Sequence, residues 1–149
     1  MRILLLSQYF PPEMGAPQAR LYELCVRLKE KGHDITVLTA MPNYPTGRVF
    51  EGYRRKLRCV EDMDGIKVVR TWIYPSKSSS AIVRMFSSMS FVISCVLFGL
   101  WGCRKQDVIV FESPPLFSVL SAIPIKWLTR ARMLMYVADV WPDIFIRMG

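Results

Sequence analysis

The residue types that could do chemistry are concentrated in four short segments of the sequence. Each segment follows an apolar run and is rich in proline, asparagine, aromatic or carboxylate residues. In chain order they are SQYFPPEMG (Ser7 to Gly15), AMPNYPTG (Ala40 to Gly47), ESPP (Glu112 to Pro115) and DVWPD (Asp139 to Asp143). If the apolar runs are parallel strands, these segments follow their carboxyl ends, where open α/β sheets bind ligands. The turns at the opposite ends of the strands contain fewer proline, asparagine, aromatic and carboxylate residues. The sequence therefore predicts one ligand site at the edge formed by the carboxyl ends of the strands, which we call the rim.

Gly15 and Arg20 are candidates for contact with a phosphate. Gly15 opens a predicted helix directly after the first segment, where a glycine permits close approach to the backbone and free N–H groups attract anions. Arg20 follows about one turn later. The chain has neither GxGxxG at this point nor a Walker lysine. The alternative therefore stays open that Gly15 only eases a tight turn and that Arg20 is solvated.

Asp139 is the candidate catalytic carboxylate. It directly follows the apolar run MLMYVA, where a carboxylate is costly to bury unless it is hydrogen-bonded or functional. Asp139 would also serve as an N-cap for a helix starting at Pro142, and the two roles are compatible. Asp143 is expected in the first turn of that helix, where the helix dipole favours an anion. Trp141 is expected to pack against the domain or to stack on a sugar ring.

Histidine and cysteine give no sign of a metal or nucleophilic centre. The only histidine, His33, falls in a Lys-Gly-His-Asp turn at the other end of the sheet, so no Ser-His-Asp arrangement is expected. The four cysteines show no CxxC spacing, which predicts no metal site. We interpret the thiols as reduced and the protein as cytosolic, because a disulfide framework is not expected in a core-rich chain of this length. The apolar run near the N-terminus is too short for a signal peptide.

The elements that must position the four segments alternate between strand and helix patterns. Apolar or β-branched runs predict strands, and apolar residues at helical spacing, including Leu21, Leu24, Cys25 and Leu28, predict helices. The predicted strands are Ile3 to Leu6, Ile35 to Thr39, Leu57 to Glu61, Ile66 to Thr71, Val108 to Phe111 and Met133 to Val137. Leu57 to Glu61 and Ile66 to Thr71 form a predicted hairpin, and residues 80 to 103 and Leu116 to Leu128 are predicted helices. The alternation predicts one doubly wound, mostly parallel, Rossmann-like α/β domain over residues 1 to 149, with a β-hairpin insertion.

The segment Met85 to Gly102 contains no charged residue and is flanked by cations. Three interpretations compete: a buried crossover helix, a helix lying in a membrane surface, and a true membrane span. Four serines dilute its hydrophobicity, and strands continue on both sides. We therefore favour a crossover helix whose outer face touches the bilayer. The basic residues Arg48, Arg54, Arg55, Lys56 and Arg58 could attract anionic lipid or could form a solvated face.

The charge balance points to an anionic partner without naming it. The chain of 149 residues carries a formal net charge of +8, while 52% of its residues are hydrophobic and 21% are charged. This composition excludes a disordered chain and suits an acidic lipid, a phosphate-bearing substrate or nucleic acid. Nucleic acid is disfavoured because the four segments lack interleaved arginine and aromatic residues.

Five sequence segments together resemble the N-terminal domain of family 4 glycosyltransferases of GT-B architecture, and among them the bacterial branch that builds colanic acid, O-antigen and capsule sugars. The matching segments, which extend over the whole chain, are SQYFPPEMGAPQARLYEL, KGHDITVLTAMPNYPTG, DGIKVVRTWIYPS, SPPLF and DVWPD. The resemblance implies retaining transfer of a hexosyl-type sugar from a nucleotide-diphosphate donor to a lipid-linked saccharide at the inner face of the membrane. It implies no cofactor and no bound metal.

The resemblance also assigns roles to residues. It places Gly15 and Ala16 near the donor diphosphate or the transferred sugar, and it makes Asn43 and Tyr44 candidates for acceptor binding. Arg20 on the donor side, and Ser113 and Trp141 on the acceptor side, are further candidates because they fall in or beside the predicted rim. Many relatives carry a histidine close to the reacting sugar where this chain has Asp139, so Asp139 polarises or positions the acceptor, or only caps the helix.

The C-terminal domain that binds the nucleotide sugar in this family has no counterpart in residues 1 to 149. The sequence therefore predicts the acceptor-side half of a transferase, inactive alone, whose partner domain lies in the same or a separate chain. The alternative is a non-catalytic membrane-surface or scaffold subunit that accompanies a separate catalytic chain.

Overall fold

A six-stranded sheet with helices on both faces forms the protein. The computed structural model describes residues 1–78, 80–103, 105–113 and 118–137. The strands are β1 (Arg2–Leu6), β2 (Asp34–Ala40), β3 (Arg58–Met63), β4 (Ile66–Thr71), β5 (Val108–Ser113) and β6 (Arg132–Val137). The helices are α1 (Ala16–Glu30), α2 (Ala81–Ser94) and α3 (Ser118–Thr129).

The strand order is β3-β4-β2-β1-β5-β6, and all neighbouring pairs are parallel except the β3–β4 hairpin. The chain runs from β1 outward through β2 to the hairpin and then crosses back to β5 and β6. The direction of winding therefore reverses beside β1, which is where ligands bind in folds of this kind. The prediction of a doubly wound, mostly parallel α/β sheet with a hairpin insertion is confirmed.

Two apolar clusters show which face each helix covers. Leu21 and Cys25 of α1 pack with Ile3 and Leu5 of β1 on one face of the sheet. On the other face, α2 and α3 pack on alternate strand residues; the cluster there includes Leu4, Leu6, Leu38, Phe91, Cys95, Ala122 and Ile125. Within the described residues, one helix thus covers one face and two neighbouring helices cover the other, and side chains that alternate along buried strands pack on both layers.

The predicted element bounds differ from the observed ones in three places. The hairpin turn contains only Asp64 and Gly65, both with positive φ, because a two-residue turn of this kind matches the twist of the strands. The predicted helix over residues 80 to 103 begins as α2 but changes to a π-helical turn at Cys95–Gly99 and to a 3-10 turn at Leu100–Gly102. Helix α3 contains Pro124, as predicted, but ends at Thr129 rather than at Leu128.

The π-helical turn lies directly against the sheet. A Cβ atom on Gly99 would lie 2.8 Å from Cδ1 of Leu38, a residue of β2. Only a glycine permits this approach, so the helix and the strand pack closer here than side chains would normally allow.

Candidate functional site

Glu13 joins the loop after β1 to the loop after β2. Its side chain is buried, and Oε1 accepts the backbone N–H groups of Asn43 at 2.7 Å and Tyr44 at 2.8 Å. Oε2 accepts the N–H of Phe10 at 3.2 Å. Burial raises the pKa of Glu13, whereas the three N–H donors and the charge of Arg70 oppose that shift. One carboxylate thus fixes two rim loops relative to each other.

Arg70 fixes the same first loop from β4. Its guanidinium is fully buried: Nε pairs with Oε1 of Glu61 at 2.5 Å, and Nη2 donates to the carbonyl of Pro11. The guanidinium carbon lies 5.2 Å from the centre of the Tyr53 ring. The loop after β1 is therefore held by buried charged groups on two sides.

Ser7 connects the ends of β1 and β5. Its hydroxyl donates to Oε2 of Glu112 over 2.6 Å in a buried position. Ser113, predicted to bind acceptor, is the last residue of β5 and pairs in register with Val137. The backbone of Ser113 is thus on the predicted rim, at the point where the winding reverses.

Gly15 stands at the N-cap position of α1, as the sequence predicted for the start of a helix. A Cβ atom there would clash with Oε1 of Gln18, whose side chain is buried and whose Oε1 has no hydrogen-bond partner among the described residues. Ala16 is exposed on the first turn. A buried, unpaired amide oxygen thus lies behind the glycine at the predicted donor side.

Arg20 lies further along α1. It lines a shallow groove of about 290 Å³ with Leu24 and with Tyr136 of β6. The predicted phosphate-proximal residues therefore extend from the start of α1 toward the end of β6.

Asn43 and Tyr44 are neighbours but differ in accessibility. The Asn43 side chain is buried and donates from Nδ2 to the carbonyl of Met41 at 2.9 Å. Tyr44 is exposed and meets Tyr9 edge to face, with ring centres 6.0 Å apart. Of the two predicted acceptor residues, Asn43 shapes the loop, and Tyr44 presents a surface that a sugar could contact.

The N-terminal half of α2 also borders the rim. Ser88 Oγ donates to Oε1 of Gln8 at 3.1 Å. The pKa of Tyr9 is raised mainly by burial, and the nearby positive charge of Arg84 opposes that shift. The rim therefore carries a hydroxyl-rich, partly basic wall that is contributed by α2.

A basic cleft lies beside the loop after β2. It encloses about 820 Å³; its lining residues are Thr46, Gly47, Arg48, Val49, Phe50, Glu51, Arg54 and Lys77. In the sequence, Arg48 and Arg54 were candidates only for a basic surface that attracts lipid or is solvated. Because Lys77 is distant in sequence from the loop, only the fold brings these cations together.

Two predicted site residues, Asp139 and Trp141, lie outside the described residues, as does Asp143. Among the residues that the structure does describe, no group of three His, Cys, Asp or Glu side chains could hold a metal ion. All four cysteines are free.

Sequence reasoning missed Glu13 and Arg70, the two residues that hold the rim loops. The burial of Arg70 could have been predicted, because Ile66, Val68 and Arg70 alternate along β4 and therefore lie on the same, inward face of the strand. Glu13 had none, because its partners Asn43 and Tyr44 are about thirty residues away in the chain.

One helical segment, Ile82–Gly99, is long and apolar enough to cross a membrane, with a mean hydropathy of 1.8 and only 33% of it buried. Its packing on the sheet through Phe91 and Cys95 is that of a crossover helix. The large exposed fraction is unusual for a helix that serves only as core.

The chain is similar to known glycosyltransferases. No family model matches it. It is 28% identical over 151 aligned residues to the putative colanic acid biosynthesis glycosyl transferase WcaI of Escherichia coli K12; the alignment covers 100% of this chain and 37% of that protein. The catalytic domain of starch synthase IV from Arabidopsis thaliana, solved with ADP and acarbose, matches with a TM-score of 0.62 and 12% identity over 93% of this chain and 34% of that one.

The chain thus spans about a third of the length of the proteins that it matches. The structural match shows the fold alone, and the sequence match adds the similarity to a colanic acid transferase. Together they confirm the resemblance to the N-terminal domain of a GT-B glycosyltransferase.

Proposed function

Because the chain is similar to the N-terminal domain of GT-B glycosyltransferases, we propose that it forms the acceptor-side half of a retaining transferase. It would help to move a hexosyl-type sugar from a nucleotide-diphosphate donor to a lipid-linked saccharide in bacterial surface polysaccharide synthesis. The observation that carries this proposal is the end-to-end alignment with the colanic acid transferase. The rim held together by Glu13 agrees with it, because it lies at the winding reversal where such folds bind ligands.

The proposal gives the two sides of the rim different tasks. Gly15 and Ala16, at the start of α1, would approach the donor diphosphate, since free N–H groups of a helix start attract anions. Arg20 would add positive charge on that side. The exposed ring of Tyr44 would contact the acceptor saccharide, together with Ser113 and Trp141.

Asp139 would act at the reacting sugar or would cap the following helix. The proposed role is the positioning of the acceptor hydroxyl by the Asp139 carboxylate. Asp139→Asn keeps the capping ability but removes the charge, so it separates the two roles. A loss of transfer with unchanged stability would support the positioning role.

The other wall of the cleft would come from a nucleotide-sugar domain in the same or a separate chain. The test is a chimera in which residues 1–149 replace the matching N-terminal part of the E. coli relative. Incubated with membranes and labelled nucleotide sugars, the chimera should transfer label to the lipid fraction, and the 149-residue chain alone should not. Turnover of a nucleotide sugar by the isolated chain would overturn the two-domain proposal.

We further propose that the protein is peripheral on the cytoplasmic face of the membrane. Helices α2 and α3 cover the same face of the sheet and expose large apolar side chains outward. This apolar face comprises Ile82, Phe86, Ile93, Leu97, Leu120, Trp127 and Leu128. Such a surface, with cations such as Arg84 and Lys126 on the same helices, suits the boundary of an anionic bilayer.

Vesicle sedimentation tests the membrane proposal. The chain should pellet with phosphatidylcholine vesicles that contain phosphatidylglycerol. The Phe86→Glu and Trp127→Glu variants should pellet less, because each places a carboxylate on the apolar face. Val60→Glu, an equivalent change on the exposed edge strand β3, is the matched control. Equal sedimentation of all variants would instead favour the scaffold-subunit alternative, in which the face binds protein.

A further inference from the structure

We propose that the basic cleft formed by residues 46 to 54 and Lys77 binds the phosphate group of an amphiphilic ligand, namely the diphosphate that links an acceptor saccharide to its lipid. The inference rests on the proposed function, and it deepens that function by assigning a subsite that the similarity to known proteins does not supply.

The cleft carries two uncompensated positive charges. Arg54 pairs with Glu51 at 3.5 Å and donates from Nε to the carbonyl of Val49, so these two charges largely cancel. Arg48 and Lys77 have no ion pair with a carboxylate anywhere in residues 1–78, 80–103, 105–113 and 118–137. Two free cations facing one cleft match a dianionic group such as a diphosphate.

Backbone contacts hold Gly47, the neighbour of Arg48, close to Lys77. A Cβ atom on Gly47, which has a φ of +65°, would lie 2.6 Å from the backbone nitrogen of Lys77. The Gly47 N–H donates to the carbonyl of Asn43 at 2.8 Å, and the Phe50 N–H donates to that of Pro42 at 3.0 Å. The loop is therefore tied both to the rim and to the segment that carries Lys77, so the cleft exists before any ligand binds.

The position of the cleft suits a ligand that is both anionic and apolar. Lys77 precedes the first residue of α2 by four positions, which an extended chain covers in about 14 Å. The exposed side chains of Ile82 and Phe86 begin the apolar face there. The same loop also carries Tyr44, the accessible candidate for the saccharide. The start of α2, the cleft and Tyr44 would thus contact the lipid chain, the diphosphate and the sugar, respectively.

A binding experiment on the 149-residue chain tests the subsite with farnesyl diphosphate, farnesol and inorganic diphosphate as probes, measured by isothermal titration calorimetry. Farnesyl diphosphate should bind most tightly, because it supplies both the charge and the apolar chain. The double variant Arg48→Ala/Lys77→Ala should raise the Kd for farnesyl diphosphate at least tenfold, as expected for the loss of charge-assisted contacts. It should also abolish binding of inorganic diphosphate and leave that of farnesol unchanged.

Two further variants complete the design. Lys31→Ala/Arg132→Ala removes two exposed cations at the opposite edge of the sheet and should bind farnesyl diphosphate as the wild type does. Ile82→Ser/Phe86→Ser should weaken the binding of farnesyl diphosphate but not the binding of inorganic diphosphate. All substituted side chains are exposed, so each variant should keep its circular dichroism spectrum.

The inference is overturned if the Arg48/Lys77 variant binds farnesyl diphosphate within twofold of the wild type, or if the Lys31/Arg132 control loses as much. A second result would also overturn it: the Arg48/Lys77 variant loses as much affinity for phosphatidylglycerol vesicles that contain no isoprenyl diphosphate as it loses for farnesyl diphosphate. The cleft would then bind ordinary lipid headgroups. Failure of the proposed function is a separate result: the chimera would transfer no sugar although the cleft bound farnesyl diphosphate as expected.

Discussion

The backbone N–H of Asn43 donates to Oε1 of Glu13 over 2.7 Å, and this bond joins the loop after β1 to the loop after β2. Buried backbone N–H groups need hydrogen-bond acceptors, which secondary structure or ordered water usually provides. Here one buried carboxylate accepts three of them. Much of the polar contact between the two loops therefore comes from one side chain, and its effect on stability can be measured.

Replacing Glu13 by alanine should destabilise the domain. The N–H groups of Phe10, Asn43 and Tyr44 would lose their acceptor in a buried site, which should lower the free energy of unfolding by about 2–4 kcal/mol. Urea denaturation followed by fluorescence measures the loss. Glu51→Ala, on a carboxylate whose side chain is 90% exposed, is the control and should change stability by less than about 0.5 kcal/mol. Equal stability of both variants would mean that the loops do not depend on Glu13.

Arg70→Met should cost about 3 kcal/mol in urea denaturation, because it leaves Glu61 and the Pro11 carbonyl without their partner in a buried region. Adding Glu61→Leu to this variant should recover part of the loss, since no unpaired charge then remains. Arg54→Ala removes an exposed cation from a surface pair and should be nearly neutral. A double variant no more stable than Arg70→Met would contradict the buried-pair explanation.

Replacement by alanine should lower the stability much less at Gly15 than at Gly47. At Gly15 the new methyl group meets the end of the flexible Gln18 side chain, which can rotate, so the cost should stay below about 1 kcal/mol. At Gly47 it meets the backbone of Lys77, and φ is +65°, so we expect a loss of about 2–4 kcal/mol. Thermal unfolding of the two variants provides the comparison. A greater loss for Gly15→Ala would show that the Gln18 side chain is held rigidly.

Acid should remove a stabilising contact between β1 and the turn before β5. The guanidinium and backbone N–H of Arg2 lower the pKa of the Asp107 carboxyl from 3.8 to about 2. Because the folded value lies below the unfolded one, the contribution is fully present above about pH 4 and is lost as the pH falls toward 2. The advantage in unfolding free energy of the wild type over Asp107→Asn should shrink across this interval. Parallel curves for the two proteins would contradict the assignment.

Native cysteine reactivity should be confined to Cys59. Burial raises the pKa of Cys25 to about 12 and that of Cys103 to about 11, and Cys95 is also buried with its pKa raised. Only Cys59 is partly accessible. Iodoacetamide at neutral pH should therefore modify Cys59 first, and mass spectrometry of tryptic peptides identifies the site. Rapid labelling of Cys95 would indicate that α2 opens readily from the sheet.

The sequence predicted those features of the fold that depend on local periodicity. The alternation of apolar runs with helical spacing located each strand of the described residues to within a few residues. The hairpin was also visible, because Asp64 and Gly65 favour the positive φ that its turn requires. The change from α to π geometry at Cys95 was not visible, since no local pattern in the sequence marks it.

The candidate site was predictable only in outline. The four strand-end segments indicated the correct edge of the sheet for Gly15, Tyr44 and the backbone of Ser113. The bonds that shape this edge join residues far apart in the chain, as between Glu13 and Asn43, and no local pattern encodes such pairs. The same holds for the basic cleft, where Lys77 meets Gly47 only after β3 and β4 have brought the chain back.

Because of the π-helical turn at Cys95–Gly99, the number of residues in this helix, as well as their types, determines which side chains lie on the surface. Such a turn accommodates one more residue than an α-helical turn, so the deletion of a single residue there would restore regular geometry. Every later residue of the helix, including the exposed Trp101, would then rotate by about 100° around the helix axis. Homologous chains could therefore diverge in how they present this helix through one insertion or deletion, without exchanging any apolar side chain for a polar one.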